Sequence, residues 1–267
     1  MYRKITKNGI NKKLRRTFKE VIFIGKLKRK ETTPVFILGS GRSGTTLLLD
    51  IFHYDLRVQS LGENNLKIAQ NFLLNYDKLN STLSKGKTEL LVCKPILNSF
   101  EAKYLLKNYP ACKILWMIRD YKDVIASSEK KFGSNTVELF MEALNSQVKN
   151  NWISKGIHRE SLDRINRIKI KDFNFYDYLG LIWWSVNNTV RIDNLSENKR
   201  FKIIQYEQFV NHNEIVLNEI YRFIGLPYKS TSIQIYKKSV NKGNKIVLSE
   251  EIDKLCNSLK KYIYHRS

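Results

Sequence analysis

Acidic residues are scarce in this sequence. Only 25 Asp and Glu stand against 47 Lys and Arg in 267 residues, a formal net charge of +22. Cysteine is scarcer still: Cys93, Cys112 and Cys256 are far apart, odd in number and never in a C-x-x-C pair, which argues against a disulfide framework or a thiolate zinc site. Cys93 and Cys112 sit in apolar runs and read as buried thiols. The four histidines, His53, His158, His212 and His265, lack metal-ligand spacing and read as structural or exposed. Four prolines and twelve glycines do not describe a low-complexity chain. No run of about 18 apolar residues is present, so no transmembrane helix is expected. The apolar stretch at 21–25 is too short for a signal-peptide core. A reducing cytoplasmic setting is the default expectation. No internal repeat is visible.

What is present fits one sizeable α/β domain. Apolar residues make up 42% of the chain, enough for a packed core. The positive charge is uneven: residues 1–30 hold twelve Lys/Arg and one acid, Glu20. The expected division is a basic N-terminal arm over 1–33 and a single domain over 34–267, with a polar insertion near 151–173. Within the arm, Leu14, Phe18, Val21 and Ile22 fit one helix face among lysines. That pattern suits a solvated arm, a helix on the domain edge, or an amphipathic contact with an anionic membrane. A basic chain attracts polyanions, and charge alone does not choose among nucleic acid, membrane, acidic glycan and phosphate-rich cofactor.

The chain is organised around Pro34 to Asp50, PVFILGSGRSGTTLLLD. Val35-Phe36-Ile37-Leu38 reads as a buried strand, Gly39 to Gly44 as a turn of small residues, and Thr45-Thr46 as the start of an apolar helix. Strand, glycine turn and helix aim backbone N–H groups and a helix N-terminus at an anion. Gly41 and Gly44 allow close approach, Ser43, Thr45 and Thr46 add hydroxyls, and Arg42 adds a fixed charge. Gly39 and Gly44 have Walker A spacing, but Thr45 stands where the lysine belongs. Phosphoryl transfer by a kinase or NTPase relies on that lysine.

Further along, Val58 to Leu61 reads as a second strand ending at Gly62-Glu63. Leu90 to Cys93 is a third, closed by Lys94-Pro95. Cys112 to Ile118 is a fourth, followed at once by Arg119-Asp120. Loops after strand C-termini line the ligand crevice of an open α/β sheet, so Glu63, Lys94 and Arg119 are directed there. Ser127 lies two turns into the helix that follows Arg119, and the two suit a second phosphate. Asn65 to Asn80 reads as an amphipathic helix, Ser81 to Thr88 as a polar loop, and Ser99 as the N-cap of a helix to Asn108. Asn151 to Phe173 reads as polar and irregular. Trp183-Trp184 reads as core within a helix over Tyr176 to Leu195. Phe201 to Tyr206 is a strand, Glu214 to Ile224 a helix stopped by Gly225 and Pro227, and the last helix starts at Ser249.

Together these features resemble the sulfotransferases that use 3′-phosphoadenosine-5′-phosphosulfate (PAPS), in the bacterial and tyrosylprotein-sulfotransferase-like branch. The resemblance runs from Pro34 to about Tyr264. GRSGTT at 41–46 is similar to the 5′-phosphosulfate loop, Gly62-Glu63 to the branch's base, and Lys94-Pro95 to its lysine-bearing strand end. Arg119-Asp120 with Ser127 is similar to the 3′-phosphate motif, although Tyr121-Lys122 stands where Pro-Arg is frequent. Tyr206-Glu207 with FIGLP at 223–227 resembles the C-terminal signature, and Lys238 falls in a region similar to a cofactor-contacting loop.

The resemblance implies a P-loop-type three-layer sandwich, a central parallel sheet flanked by helices, with PAPS as cofactor, PAP as product and no metal. It implies sulfuryl transfer to a hydroxyl or amine. Glu63 is the expected base, and Arg42 and Lys94 the groups that stabilise the leaving 5′-phosphate. Gly41, Arg42, Ser43, Gly44, Thr45, Thr46, Arg119, Ser127, Tyr206 and Lys238 are the expected cofactor contacts. The acceptor is open among a glycan, a glycolipid or other lipid-linked saccharide, a peptide tyrosine and small alcohols or amines. The basic arm admits a peripheral place at the inner face of a membrane. Three rival readings are a kinase or NTPase-like nucleotide binder, a basic nucleic-acid-binding protein, and a catalytically silent family member that binds PAP or a partner, although no nucleic-acid motif is present and no nucleic-acid partner is expected.

Overall fold

The computed structural model of the chain describes residues 32–145, 151–168, 173–228 and 240–267. The basic arm up to residue 31 and Lys238 lie outside the described residues. Among the described residues no helix is long and apolar enough to cross a membrane.

Five strands form one parallel sheet: β1 (Thr33–Gly39), β2 (Val58–Gly62), β5 (Leu90–Lys94), β6 (Lys113–Ile118) and β7 (Phe201–Gln205). Their order is β2-β5-β1-β6-β7, and every adjacent pair is parallel. A parallel sheet is covered on both faces, so its strands read as continuous apolar runs. Side chains alternate between the faces. Phe36, Leu38, Cys93, Trp116 and Ile118 join one buried cluster, and Val35, Ile37, Val92, Leu115 and Met117 the other. These two clusters are the interfaces of a three-layer α/β sandwich.

The second cluster is closed by α1 (Thr45–Phe52) and by a helix over Asn213–Ile224. The first is closed by helices over Ala102–Asn108, Tyr121–Phe132, Asn135–Asn145, Phe175–Ile192 and Glu250–Tyr264. In chain order after α1 the helices are α2 (Tyr76–Ser84), α3 (Ala102–Asn108), α4 (Tyr121–Phe132), α5 (Asn135–Asn145), α6 (Trp152–Gly156), α7 (Arg159–Asn166), α8 (Phe175–Ile192), α9 (Tyr206–Asn211), α10 (Asn213–Ile224) and α11 (Glu250–Tyr264). Trp183 and Trp184 are both buried in α8, as core residues should be. Gly225 ends α10 in the left-handed region at φ 85°, the conformation that glycine tolerates at a helix C-terminus.

Three local expectations are corrected. Asn65 to Asn80 is not one helix: β3 (Ala69–Gln70) and β4 (Leu73–Leu74) pair antiparallel, and α2 begins only after Asn75, whose side chain accepts from the Lys78 N–H. The hairpin turn holds Asn71 and Phe72 at φ 51° and 63°, and it leaves Leu66 and Phe72 exposed. The polar stretch after residue 80 continues that helix to Ser84. The segment 151–173 is not irregular where it is described, because α6 starts with an Asn151–Ser154 capping box and α7 buries Ser161 and Ile165.

Candidate active site

The parallel sheet gathers the sequence-predicted residues along one edge. Gly39 ends β1, Gly62 ends β2 with Glu63 next, Lys94 ends β5, Arg119 follows β6 and Tyr206 follows β7. The chain leaves β1 for β2 on one side, while β6 continues to β7 on the other. The reversal of strand order places a crevice at the C-terminal ends of β1 and β6, where open α/β sheets bind ligands.

The loop after β1 is built for close approach. A Cβ on Gly39 (φ 127°) would lie 2.2 Å from the Met117 carbonyl oxygen, so only glycine fits beside β6. Arg42 takes a left-handed conformation at φ 68°. Gly44 (φ 95°) is the N-cap of α1, and no side chain caps that helix. The first-turn N–H groups of a helix have no intrahelical acceptors, so they present partial positive charge at this end. A Cβ at Gly41 would meet nothing within 4 Å, which leaves that side of the loop open. Ser40 and Ser43 are buried and share a 2.6 Å hydroxyl hydrogen bond. Thr45, at the Walker lysine position, is also buried, while Thr46 is exposed.

Two clusters flank this loop. On the β5 side Lys94, a residue only 5% exposed, forms an ion pair with Glu63 through its ammonium. On the β6 side Arg42 Nε donates to Ser127 Oγ at 3.0 Å, and Arg119 Nη1 donates to the Arg42 carbonyl oxygen at 3.2 Å. The Arg119 guanidinium lies over the Tyr206 ring at 4.5 Å and is paired with Asp123 at 3.3 Å. Trp183 Nε1 donates to the Arg119 carbonyl oxygen at 3.1 Å. Arg119 and Ser127 are therefore joined through Arg42, and the Arg42 side chain reaches toward α4. Tyr206 also lies against the loop, since a Cβ on Gly44 would come within 2.5 Å of its ring.

Two residues named from the sequence, Ser99 as a helix cap and Glu207 within the C-terminal signature, support the site through contacts that the sequence did not foretell. Ser99 is no helix cap: Ile96–Glu101 is a 3₁₀ turn and α3 starts at Ala102. Its buried hydroxyl accepts from the Gly39 N–H at 3.0 Å and lies 2.9 Å from the Gly39 carbonyl oxygen. The segment after Lys94 thus braces the loop from below. Glu207 is the second support. It accepts from the Asp120 N–H at 3.0 Å and from the Tyr264 hydroxyl at 2.9 Å. Burial, helped by the Glu207 charge, pushes the Tyr264 hydroxyl well above its usual pKa, so it remains a donor. Asp120 itself caps α4, accepting from the Lys122 and Asp123 N–H groups, and pairs with Lys260 at 2.9 Å. The cap, Glu207 and α11 together fix the peptide that carries Arg119.

A model of the sulfotransferase family matches residues 70–230, more than half of the chain. The chain belongs to the sulfotransferase family. Among solved structures, the sulfotransferase domain of the Synechococcus PCC 7002 olefin synthase is 17% identical, with TM-score 0.52 over 90% of this chain and 98% of that one. A sulfotransferase from Alicyclobacillus acidocaldarius is 15% identical, with TM-score 0.46 over 87% and 92%. Mouse sulfotransferase SULT7A1 complexed with PAP is 16% identical, with TM-score 0.42 over 86% and 64%. No curated protein sequence matches the chain. At this identity the olefin synthase domain bears on the fold of this sulfotransferase alone, and the chemistry of its site rests on its own residues.

Proposed function

We propose that this sulfotransferase moves a sulfuryl group from PAPS to a hydroxyl or amine acceptor and releases PAP. The observation that carries the reading is the placement of the Lys94–Glu63 ion pair and the Arg42–Arg119–Ser127 cluster on either side of a glycine loop that has no Walker lysine. The donor set fits a ligand with two separated anionic groups. An uncapped helix N-terminus, the Ser43 and Thr46 hydroxyls and the open face at Gly41 suit one anion at the end of β1. Arg119, Ser127 and the Arg42 guanidinium suit a second. Tyr206 backs Arg119 and fixes the plane of its guanidinium. When bound, PAPS would supply the activated sulfuryl group and its 5′-phosphate leaving group.

In this reading Glu63 takes the acceptor proton, since it stands at the crevice edge and retains 29% side-chain exposure. A base must lie within hydrogen-bond reach of the proton it removes. Lys94 and the N–H groups of residues 43–46 stabilise charge that grows on the leaving oxygen. Preorganised donors aimed at developing charge are commonly the largest single contribution to such catalysis. The geometry supports a cofactor-binding part for Arg42 together with its leaving-group part, because its Nε meets Ser127.

The acceptor class we favour is a glycan or glycolipid, on the strength of the +22 charge and the six Lys/Arg between 155 and 171. A peripheral place at the inner face of a membrane, through the basic residues 1–30, belongs to the same proposal. Calorimetric titration with PAP, with ATP and ADP as controls, tests the cofactor reading. Metal-independent PAP binding lost in Arg119→Ala is the expected result. Mg²⁺-dependent ATP binding with no PAP binding would sink it. An acceptor screen with labelled PAPS follows.

A further inference from the structure

Asp123 is a buried carboxylate for which neither the strand-end motifs nor the proposed chemistry has a use. It lies one turn beyond Arg119, 3% exposed, in the first turn of α4. Its two oxygens do different things. Oδ2 accepts from Arg119 Nη2 at 3.3 Å. Oδ1 accepts from two consecutive backbone N–H groups far along the chain, those of Lys242 at 2.5 Å and Gly243 at 2.8 Å.

The distant partner is shaped for this contact. A Cβ on Gly243 would fall 2.3 Å from the Lys122 carbonyl carbon and 2.5 Å from its oxygen, so only glycine lets the segment reach the carboxylate. Asn241, just before it, turns through the left-handed region at φ 57°. Beyond it, Ile246 and Leu248 are buried in the core. Ser249 is then fixed by a second buried carboxylate, Asp177, which accepts from its N–H at 2.8 Å and its hydroxyl at 2.6 Å. The segment between residues 242 and 249 is thus held at both ends by carboxylates that accept backbone N–H groups.

We propose that Asp123 is a positioning residue that orients the Arg119 guanidinium for a 3′-phosphate and, through its other oxygen, latches the Lys242–Gly243 segment onto the nucleotide site. The inference rests on the cofactor reading above. Arg119 is restrained on three sides, by Asp123, by the Arg42 carbonyl and by the Tyr206 face. A guanidinium binds phosphate best through two parallel N–H bonds from a fixed fork, so its orientation sets the affinity. Because one carboxylate serves both partners, a phosphate that orders Arg119 also orders the 242–243 peptide, and the reverse.

The test compares PAP with 5′-AMP, which lacks the 3′-phosphate, by calorimetry on the full chain. In Asp123→Asn the amide still accepts from the two backbone N–H groups, but the charge facing Arg119 is gone. We expect PAP affinity to fall at least tenfold with 5′-AMP affinity within twofold of wild type. Removing one partner of a buried pair leaves an uncompensated charge, so the folded state of the variant is checked by its thermal transition. Gly243→Ala leaves the Asp123–Arg119 pair in place and forces the segment off. We expect it to weaken PAP at least threefold, again sparing 5′-AMP.

A measurement on wild-type protein needs no variant: hydrogen exchange across 240–248 should slow with PAP and not with 5′-AMP. Unchanged or tighter PAP binding in folded Asp123→Asn, an equal loss of both ligands, or exchange indifferent to PAP would overturn the inference. Wild-type protein that binds PAP no better than 5′-AMP would instead overturn the cofactor reading beneath it.

Discussion

Lys94 and Glu63 form an ion pair across the ends of two neighbouring strands. The parallel register sets Gly62 opposite Lys94, so the residue after Gly62 stands beside the lysine. In the proposed chemistry, this one register sets the base and the leaving-group cation side by side. Glu63→Gln and Lys94→Ala should each lower the single-turnover rate with PAPS about 10²–10³-fold, the usual cost of removing one preorganised group. PAP affinity should change far less. The double variant should lose less than the product of the two losses, because contacting residues are not additive. Full turnover in Glu63→Gln with PAPS bound would remove Glu63 as the base.

The other cluster should behave differently. Ser127 accepts from Arg42 Nε, and the Arg42 carbonyl accepts from Arg119. Ser127→Ala should weaken PAP about 10- to 100-fold, in line with roughly 1.5–3 kcal/mol for a hydrogen bond to a charged group. Its rate at saturating cofactor should stay close to wild type. Arg42→Ala should depress both affinity and rate. A pure affinity loss in Arg42→Ala would assign that side chain wholly to cofactor binding.

Ser99 supports the loop without reaching the crevice. Its hydroxyl occupies the Gly39 N–H, which is buried. Ser99→Ala leaves that donor without its partner, at a cost of about 1–3 kcal/mol. For a chain of this size each kcal/mol lowers the melting temperature by about 2–4 °C. Thermal unfolding of the variant, with and without PAP, is the check. The loss should be accompanied by weaker PAP binding, since Gly39 opens the anion loop.

The ends of the three central strands were legible because β1, β5 and β6 are buried on both faces and read as apolar runs that stop at a glycine or a polar residue. Glu63, Lys94 and Arg119 could be placed at one edge from the strand ends, whereas Tyr206 entered only through the family resemblance. The hairpin over Ala69–Leu74 was not legible, because Leu66, Ala69, Phe72 and Leu73 also fit a helical period. What separates the two is that Leu66 and Phe72 face solvent. The brace at Ser99 and the latch at Asp123 join residues 60 and 120 positions apart. No local pattern encodes such pairs. Ser99 looked like a helix cap because a serine before a helical run usually is one.

Acid stability offers a last test, away from the crevice. Asp55 accepts from Arg57 Nη2 at 2.6 Å, from Arg57 Nε at 3.0 Å and from the Arg57 N–H at 2.9 Å. Arg57 Nη1 donates in turn to the Pro227 carbonyl oxygen at 3.0 Å, tying the start of β2 to the segment after α10. Burial pushes the Asp55 carboxyl up, but the side-chain and backbone hydrogen bonds from Arg57, with its charge, outweigh that and hold it below the usual aspartate range. A carboxylate depressed in the folded state binds its proton more readily when unfolded. Its stabilising contribution is therefore complete above about pH 4 and disappears as pH falls through the lower, folded value. Asp55→Asn should remove that part of the slope in stability on the acid side of about pH 4, and lower stability at pH 7. Denaturant titrations of both proteins across that range give the comparison. Parallel pH profiles would mean that the Asp55–Arg57–Pro227 tie contributes nothing to acid stability.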